Sequence, residues 1–498
     1  MNVNPITRLD YPDLDVIRVE DTYYMVSTTM HFMPGCEILQ SFDLVHWEHV
    51  TYVYETLDHT DAQQLKSGQN IYGQGMWAAS LRYHEGRFYI CFVANDTRKT
   101  YLYTSEKIDG PWKKQLIEGF YHDGSLLFDE DGRNYIVYGN DEIWITELNE
   151  DLTAPKKDGL HRLLVSDHKN PELGYEGSHI QKINGYYYIF LVHSLRDRWM
   201  RTEACFYSDS LEGEFTGGDV LCDDRGYCGQ GVAQGGIVDT PDGKWYAMLF
   251  QDSGAVGRIP ILLPVTWKDH FPIFGQNGHV PEEIEVHSTR PGYIYQPLVG
   301  SDDFCNGLLP RWQFNHDPDP RYYHLDALQG TYTITTREVC TELTQAVNTL
   351  TQRMSYPSCA AEVTVDASAL KEGDVAGLCA LQSCYAAVGI TKHHGKYEVL
   401  MLDKKEDGIL DMTEGTVVES HQMDFRLEAD FCNMKDEARC YYRVNKGDWL
   451  PIGNVHKLYF KLDHFTGCRF GLFCYAAEET GGSACFRDFK YYDVDEIS

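Results

Sequence analysis

Three acidic side chains, Asp13, Asp123 and Glu176, stand at equivalent points of a repeated sequence pattern. Asp123 and Glu176 each lie twelve residues before a tyrosine that begins the second strand of a predicted hairpin. Asp13 lies eleven residues before its tyrosine, because the turn of that hairpin is one residue shorter. Trp77 and Gln234 occupy the same offset in two further repeats. Repeats arranged around one axis would bring these five side chains together as a ring.

Carboxylates crowded into one ring repel one another, and such crowding shifts their pKa values in opposite directions. Stability alone does not favour this arrangement, so we interpret the ring as an acid–base site. The alternative is that each acidic residue caps a turn, which is common for an isolated Asp but not for three equivalent positions. Cleavage of a glycosidic bond needs one protonated carboxyl and one ionised carboxylate. A third carboxylate can raise the pKa of the acid.

Two aromatic residues are candidates for binding a neutral sugar ring. Trp77 lies in the ring itself, and Phe32 lies in the loop TTMHFMPG. Either side chain could stack on a sugar face, or could equally be part of the ordinary hydrophobic core.

The elements that must position these residues are five hairpins. Each consists of an apolar strand, a short polar turn and a second strand led by aromatic residues. They read DVIRVEDTYYMVST, ASLRYHEGRFYICFVA, GSLLFDEDGRNYIVYG, SHIQKINGYYYIFLVH and GGIVDTPDGKWYAMLFQ. A period of roughly 45–65 residues accommodates about four short strands, which predicts one blade of a β-propeller per repeat. The sequence therefore predicts an all-β protein with a five-bladed propeller.

The repeats end near residue 250, and the stretch STRPGYIYQPLVGSDDF leads out of the propeller. Short alternating runs such as AAEVTVDA and CRFGLFCYAA follow, separated by turns, which is typical of a β-sandwich. We therefore predict a propeller over residues 1–292 and a sandwich over residues 303–498.

Composition excludes several classes of function. The formal charge is −32, and there is no basic stripe, so a nucleic-acid partner is not expected. No run of about 18 apolar residues exists, so we expect no membrane span. The 15 cysteines lack metal-ligand spacing, and no signal-peptide pattern opens the chain, which predicts reduced thiols in the cytoplasm. The oligomeric state is not predicted.

The motifs together resemble glycoside hydrolase family 43, five-bladed propeller enzymes that include β-xylosidases and α-L-arabinofuranosidases. The resemblance covers the whole chain and is carried by NPITRLDYPDLDVIRVEDTYYMVSTT, FYHDGSLLFDEDGRNYIVYG and YEGSHIQKINGYYY. It implies that Asp13 is the general base, Asp123 tunes and orients the acid, and Glu176 is the general acid of an inverting hydrolysis. It also implies that Arg258 binds substrate hydroxyls, the alternative being a surface ion pair.

The C-terminal part resembles the concanavalin-like jelly roll of the xylosidase-like members, in which a sandwich loop can help to wall the pocket. Two motifs depart from the family pattern, since Trp77 opens WAA instead of WAP and Tyr11 opens YPDL instead of YPDP. Many members have a His, often linked to an axial calcium ion, where this chain has Gln234. No cofactor and no catalytic metal are expected. A structural calcium ion stays open as an alternative, because an amide oxygen can bind calcium.

The sequence thus predicts an inverting exo-glycosidase that removes terminal β-D-xylosyl or α-L-arabinofuranosyl residues from plant-cell-wall oligosaccharides. Gln234 and Arg258 are expected to bind substrate together with the two aromatic residues. The alternative is a catalytically silent carbohydrate-binding propeller with a lectin-like sandwich. Retention of all three ring carboxylates argues against that alternative, because a binding protein gains nothing from crowded acids.

Overall fold

The computed structural model describes residues 3–413, 415–461 and 464–493. Within these ranges the chain forms 36 strands and four 3₁₀ helices, and it contains no α-helix. The 3₁₀ helices are Lys66–Gly68, Gly254–Val256, Leu343–Gln345 and Cys432–Met434. None of the helices in the described ranges has the length and apolar character needed to cross a bilayer.

The first half of the described chain forms five four-stranded antiparallel sheets, which are the blades of a propeller. The segment of blade one contains β1 (Asp15–Val19), β2 (Thr22–Val26), β3 (Phe32–Met33), β4 (Gly35–Ser41) and β5 (Glu48–Tyr54), of which β3 leaves the blade. Blade two contains β6 (Met76–His84), β7 (Arg87–Ala94), β8 (Lys99–Ser105) and β9 (Lys113–Ile117). Blade three contains β10 (Ser125–Phe128), β11 (Asn134–Asn140), β12 (Glu142–Leu148) and β13 (His161–Ser166).

Blades four and five complete the propeller. Blade four contains β14 (Glu176–Ile183), β15 (Tyr186–Ser194), β16 (Arg201–Ser208) and β17 (Thr216–Leu221). Blade five contains β18 (Val232–Asp239), β19 (Trp245–Asp252), β20 (Arg258–Lys268) and β21 (Phe271–Phe274). The five hairpins predicted from the sequence are the first two strands of the five blades, so the all-β propeller prediction is confirmed.

Neighbouring blades pack face to face because both faces of their central strands are apolar. In β15 and β19 every residue after the first is buried. The N-terminal segment joins blade one to blade five: Asn4 and Leu262 exchange two hydrogen bonds, and the Tyr11 N–H donates to the Arg258 carbonyl at 2.9 Å. These contacts fix Asp13 beside blade five, although the two lie far apart in sequence.

The second half forms two large antiparallel sheets that face each other around a shared hydrophobic core. Its strands begin with β22 (Gln313–Asn315), β23 (Tyr323–Asp326), β24 (Thr331–Thr335), β25 (Leu350–Arg353), β26 (Ser358–Asp366), β27 (Val375–Leu381), β28 (Tyr385–His393) and β29 (Lys396–Lys404). They continue with β30 (Leu410–Met412), β31 (Thr416–Val418), β32 (Gln422–Asp430), β33 (Glu437–Arg443), β34 (Leu450–Lys457), β35 (Arg469–Tyr475) and β36 (Ser483–Asp493). The predicted limits 292 and 303 both fall in the connection between β21 and β22.

The sandwich packs directly on the propeller, in keeping with the lack of a flexible linker. Strand β3 pairs with β22 and so becomes the edge of the nine-stranded sheet of the sandwich. A buried ion pair joins the Arg353 guanidinium of the sandwich to the Glu37 carboxylate of blade one at 2.8 Å. The same guanidinium lies over the Tyr11 ring, 4.3 Å from its centroid. The propeller therefore depends on the sandwich to neutralise and cover groups next to Asp13.

We expect a chain truncated after Leu298 to be insoluble or far less active than the full chain. Truncation removes Arg353 from Glu37 and exposes apolar side chains such as Phe32, which pack against the sandwich. The measurements are soluble yield, melting temperature and glycosidase activity, with the full chain expressed in parallel as the control. A soluble truncated chain with full activity would contradict the structural role of the sandwich.

Candidate active site

The five ring positions share an unusual backbone conformation. Asp13, Asp123 and Gln234 have φ angles of 52°, 48° and 65°. In blades two and four the next residue takes this conformation instead, with φ values of 39° at Ala78 and 65° at Gly177. Non-glycine residues rarely adopt positive φ, and such departures concentrate at functional sites. Each blade thus turns sharply at its inner end and directs one side chain toward the axis.

The structure brings all five ring residues together in one pocket of about 200 Å³. The predicted Arg258 also lines it, and four residues join that were not predicted. The full lining is Asp13, Trp77, His122, Asp123, Leu173, Glu176, Arg201, Gln234, Arg258 and Phe465. A larger cavity of about 410 Å³ opens among the far ends of the inner strands, but it contains none of the predicted site residues. The grouped carboxylates therefore identify the smaller pocket as the candidate active site.

Asp13 is buried and held by three hydrogen-bond donors. Its Oδ1 accepts from Arg258 Nη1 at 2.5 Å and from Gln234 Nε2 at 3.2 Å. Its Oδ2 accepts from the Thr28 hydroxyl at 2.6 Å. A carboxylate oxygen can accept about two hydrogen bonds, so Oδ2 retains capacity for one more donor. The environment of Asp13 is suited to an oriented, ionised carboxylate that accepts a proton from water.

Arg258 belongs to a buried chain of alternating charges. Its Nε donates to Asp252 Oδ1 at 3.2 Å, and Arg201 Nε donates to the other oxygen of Asp252 at 3.1 Å. Arg258 is 4% exposed, so the alternative of a surface ion pair is wrong. Both guanidiniums line the pocket and have further N–H groups beyond those used here. They can therefore bind sugar hydroxyls and also balance the carboxylates.

Glu176 and Asp123 both face the same ring nitrogen of His122. The His122 Nε2 atom is 3.6 Å from Asp123 Oδ2 and 3.7 Å from Glu176 Oε2. Glu176 Oε2 accepts from Asn140 Nδ2 at 2.9 Å, and Asp123 Oδ2 accepts from the Gly177 N–H at 2.9 Å. The imidazole is therefore placed to balance the charge of both carboxylates.

The pKa values of the two carboxyls move apart. Burial, and then repulsion by Glu176 and Asp13, raise the pKa of Asp123 to about 6 against the opposing charge of His122. Burial also acts to raise the pKa of Glu176, but His122, followed by Arg201 and Arg258, lowers it overall. The pKa of His122 rises to about 9, chiefly through the Asp123 charge.

These directions differ from the expectation that a third carboxylate raises the pKa of the acid. In this structure the raised pKa belongs to Asp123, because the cations His122, Arg201 and Arg258 outweigh the effect of burial at Glu176. The sequence pattern located the three acids but not the cations. Because Asp123 and Glu176 interact strongly, the pKa values at which they lose their protons belong to the cluster and not to either residue alone.

The aromatic wall differs from the one expected. Trp77 lines the pocket, and its ring meets Phe465 edge-on with centroids 5.0 Å apart. Phe465 comes from the sandwich and lies over the Arg258 guanidinium, 3.8 Å from ring centroid to carbon. The structure does not bring Phe32 into the pocket: it is buried at the domain interface, with the Arg469 guanidinium 3.5 Å from its ring centroid. Its place in β3, a strand of the sandwich sheet, explains the difference.

Two kinds of site residue escaped sequence reasoning. His122 directly precedes Asp123, and neighbours on a regular strand point to opposite faces, so it was not expected beside it. The positive φ of Asp123 breaks that alternation. Arg201, Leu173 and Phe465 lie outside the ring offset, and nothing in their local sequence distinguishes them. The HD dipeptide within FYHDG is the one signal that could have indicated His122.

A structural calcium ion near the axis stays a prediction. A cavity of about 10 Å³ beneath the pocket is lined by Asp13, Ser178, His179 and Gln234, among others. Its buried oxygens without a partner among the described residues are Gln234 Oε1 and Ser178 Oγ. Calcium takes six to eight oxygen ligands, some of which can be waters, and the Asp13 and Asp123 carboxylates both line this space. Within the described ranges His122, Asp123 and Glu176 form the single group that could hold a metal, and the absence of a catalytic metal stays a prediction.

Two family models match the chain. Residues 3–272 match the model "Glycosyl hydrolases family 43", and residues 301–492 match "Beta xylosidase C-terminal Concanavalin A-like domain". The second match agrees with the predicted concanavalin-like class of the sandwich.

Individual proteins are similar over nearly the whole chain. A β-xylosidase of Formosa agariphila is 27% identical, over 99% of this chain and 89% of that protein. A non-reducing end α-L-arabinofuranosidase of Bacteroides ovatus is 24% identical, over 82% of this chain and 79% of its own length. A solved structure from Bacteroides eggerthii, described as a bifunctional GH43-CE, is 42% identical with a TM-score of 0.91. The match covers 98% of this chain but only 63% of that protein.

We expect Asp13→Asn and Glu176→Gln to retain the fold and lose most of the turnover. Both substitutions keep the side-chain volume, and general acid–base catalysis contributes about 10²–10⁴-fold. Asp13→Asn should reduce kcat for every substrate. Glu176→Gln should reduce kcat far more on xylobiose than on a p-nitrophenyl glycoside, because p-nitrophenolate leaves without a proton. Near-normal kcat on xylobiose in either folded variant would contradict the assigned role.

We expect His122→Asn to move the alkaline limb of the kcat/KM profile to higher pH. The charge of His122 lowers the pKa of both Asp123 and Glu176, so its removal lets the acid keep its proton to higher pH. Asp13, Arg201 and Arg258 also face the cluster of Asp123, His122 and Glu176, and they are unchanged in the variant. His394→Asn, in an exposed turn, is the matched control. An alkaline limb that stays in place or moves to lower pH would refute the charge-setting role.

Proposed function

This chain belongs to glycoside hydrolase family 43, and from that premise we propose that it is an exo-acting, inverting glycosidase. Its substrates are short plant-cell-wall oligosaccharides, from which it removes terminal β-D-xylosyl or α-L-arabinofuranosyl residues. The observation that carries the proposal is one small pocket that combines three carboxylates with two arginines and an aromatic wall.

The pocket size favours a single sugar unit. At about 200 Å³ it lies below the range of roughly 300–1,000 Å³ that accommodates drug-sized ligands. Phe465 and Trp77 wall one side, and Leu173 contributes a further apolar group. A pocket closed in this way binds the end of a chain, not its middle. The β-xylosidase and α-L-arabinofuranosidase names of the relatives support a pentosyl group as that end.

We propose that Asp13 acts as the general base. A water molecule donates a hydrogen bond to its free Oδ2 position and attacks the anomeric carbon, and its proton passes to Asp13. Arg258, Gln234 and Thr28 hold the carboxylate in place during this step. Because these donors are already in place, no reorganisation is needed as the charge on Asp13 changes.

Glu176 acts as the general acid. Its proton passes to the glycosidic oxygen as the bond to the anomeric carbon breaks, so the leaving group departs as an alcohol. A sugar that fills the pocket displaces water, and this further burial raises the pKa of the carboxyl. After the products leave, Asp13 gives its proton to solvent and Glu176 takes one up from solvent, while Asp123 and His122 set the charge that Glu176 faces. Arg258 and Arg201 bind hydroxyl groups of the sugar through the N–H groups that Asp13 and Asp252 leave free.

A binding protein without catalysis is not favoured. It would bear the cost of crowding Asp13, Asp123 and Glu176 in one pocket, and sugar binding requires only the arginines and the aromatic wall. Cytoplasmic action stays a prediction. The fifteen cysteines, which all lie in the described ranges, form no disulfide bond, and nine of them are buried, which a reducing compartment would preserve.

A screen of p-nitrophenyl glycosides tests the activity. We expect release from β-D-xylopyranoside or α-L-arabinofuranoside, and rates at least about tenfold lower from β-D-glucopyranoside, because a pocket that selects pentosyl groups disfavours the extra hydroxymethyl group. Asp13→Asn serves as the matched inactive control. An enzyme that releases no p-nitrophenol from any pentoside, or that cleaves xylan internally, would contradict the proposal.

We expect hydrolysis to invert the anomeric centre. An inverting site needs its two carboxyl groups about 6.5–9.5 Å apart to admit a water, whereas a retaining site has them about 5–5.5 Å apart. Asp13 and Glu176 lie in blades one and four, which are not adjacent in the five-bladed closure. Proton NMR of a β-xyloside during early turnover should show α-xylose before mutarotation. Initial release of β-xylose would make Asp13 a nucleophile.

A further inference from the structure

The Asp10 carboxylate joins the two domains directly behind the pocket. Its Oδ1 accepts from the backbone N–H of Arg258 at 2.7 Å, and its Oδ2 accepts from the backbone N–H of Gly467 at 2.8 Å. Arg258 belongs to blade five, and Gly467 belongs to the sandwich loop that carries Phe465. Asp10 is 3% exposed, and both of its oxygens are used by these contacts. One side chain therefore holds both segments that supply the Arg258–Phe465 wall.

The three segments meet too closely to move independently. A Cβ atom on Gly257 would lie 2.1 Å from Asp10 Oδ1 and 2.8 Å from Gly467 Cα. A Cβ atom on Gly467 would lie 2.0 Å from the Val256 carbonyl oxygen. Gly257 also has a φ of 102°, which only glycine adopts readily. Because Gly257 and Gly467 have no side chains, the sandwich loop and blade five approach closely. The Asp10 carboxylate can therefore accept a hydrogen bond from each of them.

We propose that Asp10 is a positioning residue that sets the distance between Arg258 and Phe465 and thereby the affinity of the pocket for its sugar. This inference rests on the proposed function for its kinetic readout. Phe465 lies over the guanidinium of Arg258, and the same guanidinium binds Asp13. Movement of the Arg258 segment or of the Phe465 loop therefore displaces a side chain that lines the pocket. Asp123 and Glu176 lie in blades three and four, outside these contacts.

A matched control exists in the same region. Asp436 of the sandwich is also buried, and its Oδ1 accepts from the Ala255 N–H at 3.0 Å. It therefore joins the same two domains through a segment of blade five that lies three residues before Arg258. Burial is the largest influence on both Asp10 and Asp436, and it raises the pKa of each to about 6. The two carboxyls differ in that Asp436 does not contact Arg258 or the Phe465 loop through any hydrogen bond in the described residues.

The test compares Asp10→Asn with Asp436→Asn in the full chain. An amide turns an N–H group toward one of the two backbone donors, so Asp10→Asn breaks one contact. We expect KM for p-nitrophenyl β-D-xylopyranoside to rise about tenfold, the effect of one lost hydrogen bond to a charged group. The alkaline limb of the pH profile should not move. The two variants should lower the melting temperature by similar amounts. Asp436→Asn, however, should change KM by less than about threefold.

Phe465→Ala distinguishes positioning from general destabilisation. If Asp10 acts through the Phe465 loop, the effects of Asp10→Asn and Phe465→Ala on KM will be less than additive in the double variant. Wild-type KM in folded Asp10→Asn, an equal rise in Asp436→Asn, or additive effects would each overturn the proposal. If Asp10→Asn does not fold, Gly467→Ala disturbs the same contact from the sandwich side and is judged by the same criteria.

Failure of the proposed function is recognised separately. A wild-type enzyme without activity on any glycoside refutes the function and leaves the positioning role open to a structural test. Crystal structures of the wild type and Asp10→Asn then decide it. Displacement of the Phe465 ring from the Arg258 guanidinium supports the role, and an unchanged ring position overturns it.

Discussion

Carboxylates buried close together must be balanced by buried cations, and most of this structure serves that constraint. Asp13 and Asp252 share Arg258, Asp252 also binds Arg201, and one ring nitrogen of His122 faces both Asp123 and Glu176. Without these cations the acids would take up protons or repel one another apart. The positive φ angles at the inner ends of the blades are the backbone conformation that brings the acids together. The ring geometry and the charge balance therefore depend on each other.

The sandwich takes part in the same balance. Arg353 pairs with Glu37 of blade one, and its Nε donates to the Asp10 carbonyl at 3.0 Å. Arg469 lies over Phe32 and donates to Gln313 at 2.7 Å. These cations sit at the interface behind Asp13, where a propeller alone would expose apolar rings and a buried carboxylate. The second domain is therefore part of the active-site scaffold as well as the source of Phe465.

The division of labour in the pocket follows from the origin of each group. Blades three and four supply the carboxyls and the imidazole that handle the proton of the acid. In the proposed mechanism, blades one and five supply the base and the arginine that hold water and sugar, and the sandwich supplies the aromatic residue Phe465. Substrate binding and proton transfer can consequently be altered separately. A substitution behind Arg258 is expected to affect substrate binding, and a substitution beside His122 is expected to affect proton transfer.

Sequence patterns were sufficient to predict the all-β class, the five hairpins and the repeat offset that brings Asp13, Trp77, Asp123, Glu176 and Gln234 together. It could do so because a propeller repeats one local unit, so equivalent offsets become neighbours around the axis. Phe32 shows the limit of that reasoning. Its loop looked like part of the pocket, but β3 pairs with a strand that begins some 280 residues later, and no local pattern encodes that pairing.

The charges that face each acid follow from the folded arrangement of the blades and the sandwich. His122 lines the pocket because the positive φ of Asp123 breaks the alternation of side chains along the strand. Arg201 and Phe465 line it because the fold brings segments that are distant in sequence next to Asp123 and Glu176. The pKa of a buried carboxyl depends on burial and on the nearest charges in space. Residue spacing along the chain fixes neither, so the sequence identified the acids but the fold assigned the raised pKa to Asp123 and the lowered pKa to Glu176.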